Sequence, residues 1–129
     1  SNRNLVNTEE KKMTINKIEL EGIVGEYTHT YDTKTGGVLF KFSIAAKYGK
    51  HNFFISCVIF DTPKARTAAT ELVHGTSVIV NGQLNESKYT DKSGNERVTM
   101  QVIVDSYSIL QRVDEDTTAL DANNDDLPF

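Results

Sequence analysis

The chain has 129 residues, of which 38% are hydrophobic, with a formal net charge of −4 and one cysteine. This length suits one domain with its own core, and a single cysteine excludes an internal disulfide. No apolar run approaches the roughly 18 residues of a membrane-spanning helix, and the polar start SNRNLVNTEEKK has no signal-peptide pattern. We therefore expect a cytoplasmic protein without a membrane partner.

The acidity belongs to the C-terminal end of the chain. Residues 15–110 contain ten Lys or Arg and ten Asp or Glu, whereas residues 111–129 contain one arginine and six acidic residues. The acidic pI of the whole chain therefore does not exclude an anionic ligand for the domain. Because Met13 can be the natural first residue, we treat residues 1–12 as an N-terminal extension or an expression remnant, and exclude them from fold prediction.

Alternating apolar and polar residues predict strands from residue 15 onwards. INKIELEGIVG places Ile18, Leu20 and Val24 on one face, and VLFKFSIAA alternates in the same way. FFISCVIF is apolar on both faces, which is typical of a strand covered on both sides. SVIVNGQL and VTMQVIVDSYSIL complete five predicted strands, and the glycines of Gly36-Gly37 and Ser93-Gly94 suit the reversals between them.

One segment, DTPKARTAATELVHG, has a helical pattern instead. Thr62 is placed to cap the helix, Pro63 stands at its first position and Gly75 follows its end. Four apolar residues recur at helical spacing: Ala65, Ala68, Ala69 and Leu72. The sequence therefore predicts a short helix from Pro63 to about Val73, between the third and fourth strands.

Five antiparallel strands with one helix between the third and fourth predict an all-β OB-fold barrel over residues 13–110. An SH3-like barrel fits less well, because its strands rarely hold a helix at this place. After Leu110 the chain becomes polar, acidic and nearly free of aromatic residues. We therefore predict a disordered acidic tail over residues 111–129.

The last five residues, DDLPF, have two interpretations. The chain end is either a frayed terminus of accidental composition or a peptide that enters a pocket of another protein. In the second case the carboxylates supply negative charge and the final three residues supply an apolar plug, a known mode of C-terminal recognition. The candidate partner-binding residues are Asp125, Asp126, Leu127, Pro128 and Phe129.

Three stretches resemble bacterial single-stranded DNA-binding proteins. The longest is GTSVIVNGQLNESKYTDKSGNERVTMQVIV, which is similar to the family's fourth strand, long hairpin and fifth strand. The opening INKIELEGIVG and the DDLPF ending are the other two, so the resemblance spans nearly all of residues 15–110 and the chain end. Tryptophans commonly stack bases in this family. This chain has none, and Tyr48, Phe54 and Tyr89 stand in those places.

The resemblance implies a non-catalytic protein that binds single-stranded DNA without reading sequence and acts in replication, recombination and repair. It also implies recruitment of replication and repair proteins through the tip, and a homotetramer with the strand at residues 16–21 in one interface. Such a protein would be associated with the nucleoid. Two alternatives stay open: a primosome-type OB-fold assembly protein, although such relatives generally lack a tail, and an OB-fold RNA chaperone.

Binding single strands requires aromatic faces for unstacked bases and cations along the phosphates. We predict base stacking by Tyr48, Phe54, Phe60 and Tyr89, the third from its similarity to the family's base-stacking Phe. Tyr27, Tyr31 and Phe53 are further aromatic candidates; Phe40 and Phe42 lie on the apolar face of their strand and belong to the core. Phe53 and Phe54 point to opposite faces, so only one of them is expected inside. The predicted phosphate contacts are Lys34, Lys41, Lys47, Lys50, Lys88, Lys92 and Arg97.

Catalytic patterns are weak in this sequence. His29, His51 and His74 show no metal-ligand spacing with Cys57 or with one another, and Cys57 lies in an apolar strand, as a buried and inert thiol would. No glycine-rich phosphate loop is present, and the acidic residues of the domain are scattered. We expect no enzyme activity, no metal and no cofactor.

Overall fold

The computed structural model describes residues 14–113, which form six strands and one helix. The strands lie in the order β1-β5-β6-β4-β3-β2, and an additional pairing of β1 with β3 closes the sheet into a barrel. Helix α1 lies between β4 and β5, so the predicted all-β OB-fold with one helix is confirmed. The expectation that all strands are antiparallel is wrong for one pair, because β4 and β6 run parallel. The elements are β1 (Ile18–Val24), β2 (His29–Asp32), β3 (Val38–Tyr48), β4 (His51–Ile59), α1 (Thr62–Glu71), β5 (Ser77–Thr90) and β6 (Glu96–Gln111).

The sequence pattern gave five strands because β2 carries no hydrophobic alternation. Its four residues, HTYD, are all exposed, and it pairs with β3 from His29↔Lys41 to Asp32↔Val38 at the edge of the sheet. The turn before β3 is held by the Thr33 amide, which donates to the Gly37 carbonyl at 2.9 Å. The backbone pairing with β3, rather than burial, therefore defines this strand.

The core is built mainly from the inward residues of β3, with further residues from β4, β5 and β6. Phe40 and Phe42 are buried, as predicted, and their rings stack with centroids 5.3 Å apart. One opening of this core is covered by Ala65 and Ala68 of α1 and by Leu72, which directly follows the helix. Each of these three is fully buried, so the apolar stripe of the helix is used for packing.

The predicted strand FFISCVIF corresponds to β4, and the expectation that it is covered on both sides is wrong for its first half. Phe53 is 40% exposed and Phe54 is 56% exposed, whereas the later residues Cys57, Val58 and Ile59 are buried. The expectation that one of the two phenylalanines lies inside is therefore also wrong. The hairpin of β3 and β4 continues beyond the end of the core, so both faces of its outer part meet solvent.

The helix cap differs from the prediction by one residue. Asp61 is the N-cap, because its carboxylate accepts a hydrogen bond from the Lys64 amide at 3.1 Å. The Thr62 hydroxyl instead accepts from the Val38 amide at 3.1 Å and joins the helix to β3. The helix ends at Glu71 rather than near Val73, since the chain leaves helical geometry at Leu72.

Strands β5 and β6 form a long hairpin whose outer half leaves the barrel. Pairing runs from Ser77↔Gln111 to Thr90↔Glu96, with an irregularity at Asn81/Gly82. A Cβ on Gly82 would collide with the Ile103 carbonyl, so only glycine allows the strands to approach there. Beyond the pair Asn85↔Gln101, most residues of the hairpin are exposed.

Several predictions lie outside the described residues. These are the N-terminal extension at residues 1–12, the tail from residue 114 onwards, and the tip at Asp125–Phe129. Strand β6 itself continues through Gln111, and the side chains of Glu71 and Arg112 lie 3.7 Å apart between helix and strand end. In residues 14–113 no helix is long and apolar enough to cross a membrane.

Candidate nucleic-acid interface

The outward residues of β2, β3, β4 and β6 form one continuous surface, here called the outer face. Cross-strand pairing places His29 beside Lys41, and Lys41 beside Val58. Further along the same two strands, Ala45 pairs with Phe54, and β6 joins through Ser56↔Gln101. Because paired residues point to the same side of a sheet, these side chains share one surface.

Two adjoining grooves lie on the outer face. The first, of about 420 Å³, is lined by Tyr27, Thr28, His29, Tyr31, Lys41, Phe42, Ser43 and Ser56. The second, of about 380 Å³, is lined by Tyr31, Leu39, Lys41, Val58, Phe60, Ser87 and Gln101. Tyr31 and Lys41 belong to both, so the grooves meet at these two side chains. Phe60, one of the predicted stacking residues, is 54% exposed in the second groove.

Phe54 lies on the outer face beyond the first groove, close to Gly25. A Cβ at Gly25 would come within 3.2 Å of a Phe54 ring carbon, so the glycine provides space for the ring. More than half of the Phe54 side chain remains exposed. The structure therefore presents this ring where a base can reach it.

The outer half of the β5–β6 hairpin has two different faces. Tyr89 pairs with Arg97 and Ser87 with Thr99, and Ser87 lines the second groove, so Tyr89 is on the outer-face side. The opposite face carries the pairs Lys88↔Val98 and Glu86↔Met100. Lys88, a predicted phosphate contact, is therefore adjacent to Tyr89 in sequence but points to the other face of the hairpin.

The tip of this hairpin is a turn organised by Asp91. One carboxylate oxygen accepts from the amides of Ser93 and Asn95, each at 2.9 Å, and the other accepts from Arg97 Nε at 2.8 Å. Gly94, at φ 88°, provides the left-handed residue that closes the turn. Arg97, a predicted phosphate contact, thus already has a carboxylate partner, whereas Lys92 lies in the turn and is exposed.

The carboxyl group of Asp91 should titrate below the ordinary range. The hydrogen bond from Arg97, followed by that from the Asn95 amide, lowers its pKa from 3.8. The charged form stabilises the turn above pH 3.8, and this contribution is lost as pH falls through the depressed folded value. Amide NMR shifts of Ser93 and Asn95 should therefore show a transition with a midpoint below 3.8, absent in Asp91→Asn. A midpoint at or above 3.8 would contradict the ion pair.

Tyr48 is exposed but is not on the outer face. It pairs with His51 at the end of the β3–β4 hairpin, with 78% of its side chain accessible. Since its neighbour Lys47 continues the row of Lys41 and Ala45, Tyr48 and Phe54 point to opposite sides of the hairpin. Lys47 and Lys50 are exposed at this end of the barrel, and Lys34 is exposed in the β2–β3 turn, outside both grooves.

The first groove contains aromatic residues that were not among the four predicted stacking positions. Tyr31, His29 and Tyr27 line the first groove, although only the tyrosines were considered as aromatic candidates. The sequence gave little indication of His29 and Tyr31, because HTYD has no apolar alternation that would predict a strand. The place of His29 opposite Lys41 and of Tyr31 opposite Leu39 could have been found only if the pairing of β2 with β3 had been known.

The described residues show no arrangement typical of a metal centre. Within residues 14–113, no three His, Cys, Asp or Glu side chains form a group that could hold a metal ion. Cys57 is fully buried, as predicted, and burial raises the pKa of its thiol to about 12. The thiol therefore stays protonated at neutral pH and is a poor nucleophile.

A family model, the single-strand binding protein family, matches residues 15–110, which include the whole barrel. The chain belongs to the single-strand binding protein family. Its functional class is accordingly single-stranded DNA binding, and the family resemblance inferred from the sequence is confirmed. A comparison with curated protein sequences gives no match.

Two solved structures show the same fold. The mitochondrial single-stranded DNA-binding protein Rim1 of S. cerevisiae has a TM-score of 0.63 and 16% identity, covering 78% of this chain and 99% of that chain. The Plasmodium falciparum SSB, solved in complex with single-stranded DNA, has a TM-score of 0.67 and 20% identity, covering 76% and 97%. At such identities the similarity shows the fold, and the residues of this chain have to be argued individually.

Proposed function

We propose that this family member binds single-stranded DNA without sequence preference along its outer face, from Phe54 past Phe60 to Tyr89. The observation that carries the proposal is the family match over the whole barrel. The exposed rings support the location, because they lie on the same face as Lys41 and beside solvent-open grooves. Aromatic rings accept bases of any sequence, while cations follow the phosphates.

The electrostatic contribution to binding should be modest. Residues 15–110 have no net charge, and Arg97 is already paired with Asp91. Lys41 and Lys47 nevertheless lie on the outer face, and Lys50 and Lys92 are exposed at the ends of the two hairpins, whereas Lys88 is on the opposite face of its hairpin. We infer that stacking contributes more to affinity here than in a basic relative.

In the cell, the protein would coat transient single strands in replication, recombination and repair without catalysing a reaction. We place it in the cytoplasm at the nucleoid, where those strands arise. Its C-terminal tip would recruit replication and repair proteins: Phe129 and Pro128 would enter a shallow apolar pocket, while Asp125, Asp126 and the terminal carboxylate meet surrounding basic residues.

We also propose a homotetramer in which the N-terminal half of β1 contributes to one interface. In the described residues, β1 pairs with β3 only at Ile23 and Val24, so one backbone edge of residues 18–21 faces away from β5 without a strand partner. The Asn16 side chain extends the β5 side of this pairing through hydrogen bonds of 2.8 and 2.9 Å with the Leu84 backbone. An unpaired edge of this kind is suited to pairing with a second copy.

A titration with poly-dT tests these proposals together. We expect tight binding whose log affinity falls with log salt by about 0.7 per phosphate neutralised, with a shallower total slope than for a basic relative. Light scattering on the same samples should give four times the monomer mass. Competition with poly-rU of equal length should leave most of the protein on DNA.

Each proposal would be contradicted by a different result of these measurements. Failure to bind poly-dT would reject the DNA-binding proposal, and preference for poly-rU would favour the RNA chaperone. A salt slope near zero would reject contacts between the lysines and the phosphates. A monomer mass at micromolar concentration would reject the tetramer while leaving DNA binding intact.

A further inference from the structure

Strand β2 carries an exposed aromatic pair on the outer face. His29 and Tyr31 are two residues apart and therefore point to the same side of the strand. Their ring centroids are 4.3 Å apart with an interplanar angle of 61°, an edge-on contact. Tyr31 remains 47% exposed, so this contact orients the ring without covering it.

The position of Tyr31 places it at the junction of the two grooves. It pairs with Leu39, whereas His29 pairs with Lys41 on the same strand, and Tyr31 and Lys41 line both grooves. Phe60 lines the second groove from the β4 side, with Leu39 and Lys41 of β3 between the two aromatic rings. Because adjacent strands are separated by about 4.8 Å, the β2 and β4 backbones lie roughly 10 Å apart across this groove.

The fold itself gives little reason for a large aromatic side chain here. All four residues of β2 are exposed, so none of them fills the core of the barrel. Tyr31 is not part of the buried core, and about half of it stays exposed in the groove that it shares with Lys41. A ring face next to a cation is the combination that single-strand binding requires.

We propose that Tyr31 is a base-stacking subsite, facing Phe60 across the second groove, with His29 orienting its ring and Lys41 contacting the adjacent phosphate. The inference rests on the proposed DNA binding and adds β2 to the path of the strand. The occupant is one nucleotide of single-stranded DNA, whose base meets Tyr31 and whose backbone passes the cation. His29 is a positioning residue, because it acts through its contact with the Tyr31 ring.

The first test compares four variants at positions 30 and 31 with the wild type by fluorescence anisotropy of a labelled oligo-dT. Tyr31→Ala and Tyr31→Leu should each weaken binding about tenfold, because one stacking contact is lost. Tyr31→Phe should bind like the wild type, since it keeps the aromatic face. Thr30→Ala is the matched control: it changes the next residue of the same strand on the other face and should leave affinity unchanged.

The dependence on salt separates stacking from charge. Tyr31→Leu should keep the wild-type slope, whereas Lys41→Gln should reduce its magnitude by about 0.7, the share of one phosphate on a single strand. Thermal unfolding of each variant should remain close to that of the wild type, because the replaced side chains are exposed.

The outcomes distinguish this inference from the function on which it rests. If the wild type binds oligo-dT and Tyr31→Leu binds equally well, the β2 subsite is wrong and the DNA-binding proposal stands. If Tyr31→Phe is as weak as Tyr31→Leu, the hydroxyl rather than the ring face is responsible, and stacking is rejected. If the wild type itself does not bind, the proposed function and this subsite fail together.

Discussion

Replacing both Phe54 and Tyr89 by alanine should weaken poly-dT binding by about 2–6 kcal/mol, because each lost base stack is worth roughly 1–3 kcal/mol. The two rings lie on different hairpins of the barrel, so their effects should be nearly additive. Both side chains are more than half exposed, and their loss should hardly change the free energy of unfolding. Fluorescence titration and thermal unfolding of the double variant and both single variants measure these quantities.

Two controls connect this loss to stacking. Tyr89→Phe keeps the ring face and should retain affinity. Thr90→Ala changes the adjacent residue, which pairs with Glu96 on the opposite face of the hairpin, and should be neutral. If the double variant binds poly-dT as tightly as the wild type, the outer face is not the DNA surface, although the fold and family of the chain are unaffected.

Deleting Asp125–Phe129 should abolish recovery of replication and repair proteins from a bacterial lysate, and Phe129→Ala alone should have the same effect. The reason is that Phe129 and Pro128 supply the apolar part of the peptide, which the acidic residues cannot replace. Leu120→Ala is the matched control, because it removes an apolar tail residue away from the terminus. Quantitative mass spectrometry of the captured proteins measures the loss.

The same deletion should affect DNA binding only weakly. Strand β6 includes Gln111, and the sixteen residues after Val113 span at most roughly 50–60 Å, which is enough for the acidic end to reach the lysines of the outer face and compete with DNA. Affinity for poly-dT should be unchanged or slightly higher at low salt, and the gain should vanish as salt screens the charges. If the truncated protein recovers the same partners as the full chain, DDLPF is a frayed end without a recruiting role.

Sequence alone determined the features that depend on local patterns. Alternation in β1, β3, β5 and β6 predicted a half-buried sheet, and the spacing of Ala65, Ala68 and Leu72 predicted the helix that covers the core. These patterns were sufficient because each element buries one face, and the period of its apolar residues records that face. The OB-fold class and the buried Phe40 and Phe42 followed from the same signal.

The tertiary structure decided which side chains meet between elements. One of Phe53 and Phe54 was expected inside, but both are exposed, since burial depends on how far a hairpin continues beyond the core. Lys88 is adjacent to Tyr89 in sequence and yet lies on the other face, because successive residues of a strand point in opposite directions.

Likewise, the sequence did not show which side chains contact one another across strands and turns. The Arg97–Asp91 ion pair and the position of Tyr31 beside Lys41 and Phe60 depend on strand register and turn geometry across separate elements. Sequence alone thus determined that this chain folds as a single-strand binding barrel with exposed aromatic residues. Only the closed sheet decided which of them share one surface. The alternation of side chains determines which residues of one strand point to the same face, whereas the pairing register determines which residues of different strands are neighbours.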